Sequence, residues 1–204
     1  MSAPELRASI TRFMIEKALW NCCVSLSLTE IMPNLYLGGY LAASNIDSLR
    51  TTNITFVLTI MSSNLSAPTL QQHQDMGIVT ARFDKDDKPA EDLLAIFGPT
   101  SDLIEEKRAE GKKILVHCRM GISRSVTLVM AYLMRAWGVG FPEAQTFVKE
   151  KRPMASPNRG FCEQLRVWQA CEYGVEQIVD GERREKAPYA EWKRSVGLVA
   201  AEES

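Results

Sequence analysis

Residues 114–125 read ILVHCRMGISRS, and the apolar run VTLVMAYLM follows directly at 126–134. An apolar strand-type run that passes through a short polar loop into a helical pattern predicts a strand–loop–helix unit. The loop then lies at the amino end of a helix, where free backbone N–H groups and the helix dipole favour an anion. Since a cysteine opens this loop and an arginine closes it, the stretch predicts an anion site that contains a nucleophile.

The rest of the chain alternates between strand and helix patterns. Strands are predicted at 35–37, 54–60 and 77–83, and helices at 42–49, 93–104, 141–151 and from 159 onward, with Gly98-Pro99 expected to kink or divide the second helix. This alternation predicts an α/β domain with a mostly parallel, twisted central sheet and helices on both faces. Ligand sites in such sheets lie at the carboxyl ends of the strands, where the loop after His117 falls.

Three parts of the chain are expected to differ in character. Residues 1–28 are expected to form an amino-terminal extension with a helical pattern at 5–20, and residues 29–180 are expected to form the main domain, which contains the predicted anion site. Beyond Asp180 the sequence DGERREK is charged and loses periodicity, so residues 181–204 are predicted to be a mobile tail.

The composition excludes several classes of protein. The 204 residues carry a net charge of −1, which gives no general reason to expect nucleic acid as a partner. No run approaches eighteen apolar residues, so no membrane span is expected. Five cysteines and two histidines show no metal-site spacing, so no metal is predicted, and His73 is expected at the surface. The cysteine usage suits a reducing compartment, and we expect an intracellular protein of the cytoplasm or nucleus.

The pattern His-Cys-x-x-Gly-x-x-Arg-Ser at 117–125 suits the hydrolysis of a phosphate ester through a covalent intermediate. Cys118 is the candidate nucleophile, because its position at a helix amino terminus near an arginine favours the thiolate. Arg124 can offer two parallel N–H bonds to phosphate oxygens, and Ser125 can support the sulfur as a leaving group. His117 is expected to hold the loop backbone. The residues expected to bind phosphate around the loop are Arg119, Met120, Gly121, Ile122 and Ser123.

The oxygen that leaves with the product needs a proton, which a carboxylic acid on a second loop can supply. The charged loop at 84–89 follows a predicted strand and contains Asp84, Asp86 and Asp87. The chemistry of the residues does not choose among the three.

Four blocks of the chain resemble the small dual-specificity phosphatases of the protein tyrosine phosphatase superfamily. They are LYLGG at 35–39, ITFVLT at 54–59, HCRMGISRS at 117–125 and RPMASPNRGFCEQL at 152–165. The resemblance implies that Cys118 is the nucleophile and Arg124 binds phosphate. In the family the acid lies six residues before a leucine that opens the next helix; counting from Leu93 gives Asp87, with Asp86 as the next candidate. The resemblance also implies that Asn158 supports the loops.

The resemblance further implies phosphotyrosine and phosphoserine or phosphothreonine in proteins as substrates, and no cofactor. Two alternatives remain at this level. One is a phosphatase acting on a phosphoinositide, an RNA 5′-phosphate or a glucan, although lipid phosphatases of the superfamily tend to carry two basic residues where this loop has Arg119 and Ile122. The other is a phosphoprotein-binding module of low turnover.

Overall fold

The computed structural model describes Met14 and residues 23–198. The helix predicted at 5–20 therefore lies outside the described residues except at Met14, which is helical. Within the described part of the chain, no helix is long and apolar enough to cross a membrane.

A five-stranded sheet organises the domain. Its strands are β1 (Thr29–Met32), β2 (Leu35–Gly38), β3 (Phe56–Ile60), β4 (Val79–Phe83) and β5 (Ile114–His117). The spatial order is β1-β2-β5-β3-β4, in which β1 is antiparallel to β2 and all other pairs are parallel. The strand β5 is buried at every residue in the centre of the sheet, as its unbroken apolar sequence indicates. The mostly parallel α/β fold is confirmed, and the antiparallel β1 is an addition to it.

Eight helices with defined bounds surround the sheet in the described residues. They are α1 (Tyr40–Ser44), α2 (Ile46–Thr52), α3 (Ala67–Asp75), α4 (Leu94–Ala109), α5 (Arg124–Trp137), α6 (Phe141–Lys151), α7 (Arg159–Ala170) and α8 (Ala187–Ser195). Val116 packs in a large apolar cluster with α4 to α7, whereas Leu115 packs in a smaller one with α2 and α3. Because neighbouring strand residues point to opposite faces, helices cover both faces of the sheet.

Two predicted helices differ from the observed ones. The pattern at 42–49 is divided between α1 and α2, because the side chain of Asn45 accepts a hydrogen bond from Ser48 N and starts a new helix. Conversely, α4 continues through Pro99 and is neither divided nor ended there. Phe97 and Ile104 are buried on either side of the proline, so packing against the core outweighs the local cost of about 3 kcal/mol.

The prediction that His73 lies at the surface was wrong. His73 is completely buried on α3, and its Nε2–H donates to the carbonyl oxygen of Ala43 at 2.8 Å. Burial lowers the pKa of this imidazole, and the hydrogen bond to Ala43, which raises it, is the smaller effect. The partner is a backbone group thirty positions away, which the local sequence does not reveal.

The prediction of a mobile tail from residue 181 was also wrong for the part of it that the structure describes. Residues 176–185 form a hairpin of β6 (Glu176–Val179) and β7 (Glu182–Glu185), joined by Asp180 and Gly181 at positive φ. The Asp-Gly pair was a hairpin signal in the sequence. The helix α8 then buries Tyr189 and Trp192 against the main apolar cluster, since two aromatic side chains in two turns give a short helix a packed face.

Replacing Trp192 with Ala tests whether this segment belongs to the folded domain. Since Trp192 is only 6% exposed, the variant Trp192→Ala is expected to lower the free energy of unfolding by about 3 kcal/mol in urea titrations. Trp137 is 44% exposed and serves as the matched control, with an expected loss of about 1 kcal/mol from its contact with Phe147. Equal stability of Trp192→Ala and the unmodified protein would contradict the packing of α8.

Candidate active site

The loop of residues 118–123, called the Cys118 loop below, connects β5 to α5 at the carboxyl edge of the sheet. Cys118 is 1% exposed, and its Sγ accepts hydrogen bonds from Gly121 N and from Ser125 Oγ, both at 3.3 Å. A thiolate sulfur accepts such bonds well. The sulfur therefore accepts from two donors, one on the loop backbone and one on Ser125, the residue that the sequence analysis expected to support it.

Gly121 is the position in the Cys118 loop that only glycine fits. Its φ is +69°, a region that disfavours other residues, and a Cβ atom there would lie 2.4 Å from the carbonyl oxygen of Gly38. The loop therefore rests directly on the end of β2.

Arg152 supports the same glycine from below, and sequence reasoning missed it. Its fully buried guanidinium donates from Nε to Gly121 O at 2.8 Å and from Nη2 to Val24 O at 3.1 Å. Nη1 donates to the hydroxyls of Ser27 and Thr29 at 2.9 and 2.8 Å. Burial lowers the pKa of Arg152. The sequence places Arg152 just after the predicted helix at 141–151 and gives no sign of its role, because its hydrogen-bond partners lie 31 and more than 120 positions away.

His117 is completely buried between β3 and the Cys118 loop. Its Nδ1 lies 3.3 Å from Cys118 O and its Nε2 lies 2.8 Å from Thr59 Oγ1. A carbonyl oxygen only accepts, so Nδ1 carries the proton and Nε2 accepts from the threonine hydroxyl. Burial lowers the pKa of His117 to about 4. A neutral imidazole tied at both nitrogens holds the backbone, and it has no free nitrogen to offer a substrate.

Arg124 opens α5 and is 7% exposed. Its Nη1 donates to Lys85 O at 2.9 Å, whereas its buried Nε has no hydrogen-bond partner among the described residues. A buried, unsatisfied N–H of a cation is costly unless a ligand completes it. Arg124 therefore has a donor available for an anion at the Cys118 loop.

Asp87 is, of the three aspartates of its loop, the one that is hydrogen-bonded to the Cys118 loop. Its Oδ1 accepts from Ser123 Oγ at 2.8 Å and from Asn158 Nδ2 at 2.9 Å, and its Oδ2 lies 3.6 Å from Arg124 Nε. Asn158 also accepts a bond from Phe161 N with its Oδ1 and so caps α7. The structure thus joins Asp87 and Asn158 to the loop of the candidate nucleophile.

The other two aspartates face cations instead. Asp86 forms an ion pair with Lys88 at 2.7 Å, and the hydrogen bond from Lys88 lowers the pKa of Asp86. Asp84 pairs with Arg82 at 3.3 Å. Of the three, Asp87 is the one hydrogen-bonded to Ser123 of the Cys118 loop, so the geometry favours Asp87 as the proton donor. In the described residues, no group of three His, Cys, Asp or Glu side chains is arranged to hold a metal ion.

A cavity of about 490 Å³ borders the Cys118 loop at Arg119 and Met120. The cavity is also lined by Tyr40 and Leu41 and by the start of the loop after β3. The carbonyl of Arg119 accepts bonds from Tyr40 N and Ser25 Oγ, so its backbone is fixed while its side chain is exposed.

A family model described as "Dual specificity phosphatase, catalytic domain" matches residues 35–171. The chain belongs to this family. Dual specificity protein phosphatase 22-B of Danio rerio is 39% identical over 145 residues, which cover 71% of this chain and 75% of the relative. Dual specificity protein phosphatase 1 of Arabidopsis thaliana is 43% identical over 137 residues, 66% of this chain and 65% of the relative.

Solved structures of dual specificity phosphatases share the fold. Human DUSP28 has a TM-score of 0.63 and 33% sequence identity, and the match covers 72% of this chain and 95% of the other. DUSP15 has a TM-score of 0.64 and 30% identity, and the match covers 86% and 98% of the two chains. The chain therefore carries the catalytic domain of a cysteine-dependent protein phosphatase, whereas the β6–β7 hairpin and α8 lie beyond the residues that the family model matches.

The neutral state of His117 predicts how stability depends on pH. The unfolded chain binds a proton on this residue below about pH 6.5, and the folded chain does so only near pH 4, so the free energy of unfolding decreases as pH falls through that window. Between pH 7 and pH 5 this residue is expected to account for a loss of about 2 kcal/mol.

Urea unfolding at both pH values measures this loss. The variant His117→Gln keeps a side chain with a donor and an acceptor but cannot titrate, so its loss of stability between pH 7 and pH 5 is expected to be smaller by that amount. A variant that loses as much stability as the unmodified protein would contradict a buried neutral His117.

Proposed function

We propose that the chain hydrolyses phosphotyrosine and phosphoserine or phosphothreonine in proteins through a phosphocysteine intermediate. The observation that carries this proposal is the hydrogen bond between Asp87 and Ser123, because it brings an acid to the loop that begins at Cys118 and ends at Arg124. Nucleophile, cation and acid are then within one site at the carboxyl edge of the sheet.

In the first step the Cys118 sulfur attacks phosphorus, and the bond from phosphorus to the substrate oxygen breaks. Asp87 gives its proton to that leaving oxygen, so no alkoxide is released. The guanidinium of Arg124 and the backbone N–H groups of the Cys118 loop hold the three remaining oxygens. The unsatisfied Nε of Arg124 supports this role.

In the second step water attacks the phosphorus of the phosphocysteine and the sulfur–phosphorus bond breaks. Asp87, now a carboxylate, takes a proton from the attacking water. The hydroxyl of Ser125 donates to Cys118 Sγ at 3.3 Å and stabilises the thiolate as it leaves. Phosphate is released, and the enzyme returns to its starting state with no cofactor.

The surroundings of the site favour a protein substrate over a phosphoinositide. Among the residues between Cys118 and Arg124 only Arg119 is basic, and Ile122 is apolar. The cavity of about 490 Å³ beside Arg119 and Met120 gives room for residues that flank a phosphorylated side chain. The thiol, the arginine and the acid are all in place, which favours turnover over simple binding.

The proposal includes an intracellular location, in the cytoplasm or the nucleus. Cys118, Cys162 and Cys171 are free thiols, and so is Cys23. A nucleophilic thiol works only where it stays reduced, so a reducing compartment supports the proposed chemistry.

Replacing the nucleophile tests the covalent step. The variant Cys118→Ser is expected to hydrolyse p-nitrophenyl phosphate at least about 10³-fold more slowly, because a serine hydroxyl stays protonated at neutral pH. Cys162→Ser is the matched control, since Cys162 lies on α7 outside the Cys118 loop, and it is expected to retain activity. Full activity of Cys118→Ser would rule out the proposed mechanism.

Replacing Asp87 and Asp86 separately tests which aspartate is the acid. Asp87→Asn is expected to lower kcat/KM for phenyl phosphate by about 10²-fold, and to lower it much less for p-nitrophenyl phosphate, whose leaving group needs less protonation. Asp86→Asn is expected to change either value by less than about twofold, because Asp86 forms an exposed ion pair with Lys88 and a hydrogen bond with Ser62, and neither partner belongs to the Cys118 loop. The opposite ranking would assign the acid to Asp86.

A further inference from the structure

The helix α8 contacts the loop that contains Asp87. We call residues 84–92 the acid loop; it joins β4 to the start of α4. Tyr189 of α8 is 5% exposed, and its hydroxyl donates to Asp92 Oδ2 at 2.7 Å. The other oxygen of Asp92 accepts from Ala95 N at 2.9 Å in the first turn of α4. One carboxylate therefore links the end of the acid loop to two helices.

The acid loop has no helix or strand of its own, so it depends on side-chain contacts for its position. Lys85 and Glu91 pair across the loop at 3.0 Å and hold its two ends together. The buried Gln164 of α7 donates to Glu91 O at 2.8 Å and accepts from the backbone N–H groups of Leu93 and Leu94. These contacts fix the end of the loop at which Tyr189 binds.

The middle of the acid loop rests on α7. A Cβ atom at Gly160 would lie 2.0 Å from Pro89 O, so the two backbones are already in close contact. Val196, just after α8, borders a cleft of about 390 Å³ with Pro89 and Ala90. Pro89 thus lies against α7, Val196 faces Pro89 and Ala90 across a cleft, and the hydrogen bond of Tyr189 to Asp92 is the direct link from α8 to the acid loop.

We propose that α8 positions the general acid: the Tyr189–Asp92 hydrogen bond holds the acid loop so that Asp87 stays against the Cys118 loop. Tyr189 is then a positioning residue that acts through Asp87 and touches no substrate. The inference rests on the proposed function, in which Asp87 is the acid. It assigns a catalytic consequence to a segment that lies outside the family match at residues 35–171.

The Tyr189–Asp92 hydrogen bond does not depend on pH in the range where the enzyme is folded. Burial, followed by the hydrogen bond to Asp92, raises the pKa of Tyr189 far above its ordinary value. The hydroxyl therefore remains a donor wherever the enzyme is folded. Trp192 packs beside it in the same apolar cluster and holds the helix in place.

The variant Tyr189→Phe removes the hydroxyl and keeps the packed ring. Its kcat/KM for phenyl phosphate is expected to fall by about three- to tenfold, the range that the loss of one hydrogen bond covers. For p-nitrophenyl phosphate the fall is expected to stay below about twofold, since that substrate depends less on the acid. Tyr173→Phe is the matched control: it loses a half-buried hydroxyl that donates to Val139 O at 3.0 Å, away from the acid loop. Its ratio of the two kcat/KM values is expected to stay unchanged.

A double-mutant cycle separates positioning from general destabilisation. In an Asp87→Asn background, Tyr189→Phe is expected to have no further effect on phenyl phosphate, because the group that it positions is gone. An unchanged leaving-group ratio for Tyr189→Phe, or a full additional loss in the Asp87→Asn background, would overturn the inference. If Asp87→Asn alone kept full activity on phenyl phosphate, the assignment of the acid would fail instead, which is a different result.

Discussion

The backbone of Gly121 is held from three directions, and the active site depends on that restraint. Its N–H points to the Cys118 sulfur, its carbonyl accepts from Arg152, and the carbonyl of Gly38 lies where a Cβ would be. A phosphate-binding loop needs its N–H groups turned inward, which leaves its carbonyls turned toward the protein and in need of donors. Arg152 supplies such a donor, so the charge that supports the loop sits beneath it rather than in the substrate cleft.

Burying Arg152 without a carboxylate partner in the described residues carries a large desolvation cost. The cost is offset by hydrogen bonds to Gly121, Val24, Ser27 and Thr29 and by attraction to a negative sulfur at Cys118. Three of those four partners precede the residues that match the family model. The segment before β2 is therefore part of the catalytic scaffold, as α8 is for the acid loop on the other side of the site.

The parts of this architecture that could be predicted from sequence are those with short-range patterns. Each of these patterns lies within a few turns of the chain: the apolar run of β5, the spacing of Cys118 to Arg124, and the helical spacing after Ser125. What could not be predicted depends on distant partners. His73 can be buried because the carbonyl of Ala43 accepts its hydrogen bond, and Arg152 can be buried because the segment before β2 accepts its hydrogen bonds. The helix α4 continues through Pro99 because residues on both sides of the proline pack in the core. The Asp180-Gly181 turn was visible in the sequence and was overlooked because the charged residues around it resemble a tail.

The choice among three aspartates shows how position decides chemistry. Asp84, Asp86 and Asp87 are the same side chain within four residues, and their sequence context separates them only through a family resemblance. In the folded chain Asp84 pairs with Arg82 and Asp86 pairs with Lys88, and the hydrogen bond from Lys88 lowers the pKa of Asp86. Asp87 meets the neutral donors of Ser123 and Asn158 and lies at the longer distance of 3.6 Å from Arg124. Asp87 is therefore the aspartate that the fold holds beside the loop of the candidate nucleophile, and that position, which depends on partners 36 and 71 residues away, is what lets it serve a leaving oxygen there.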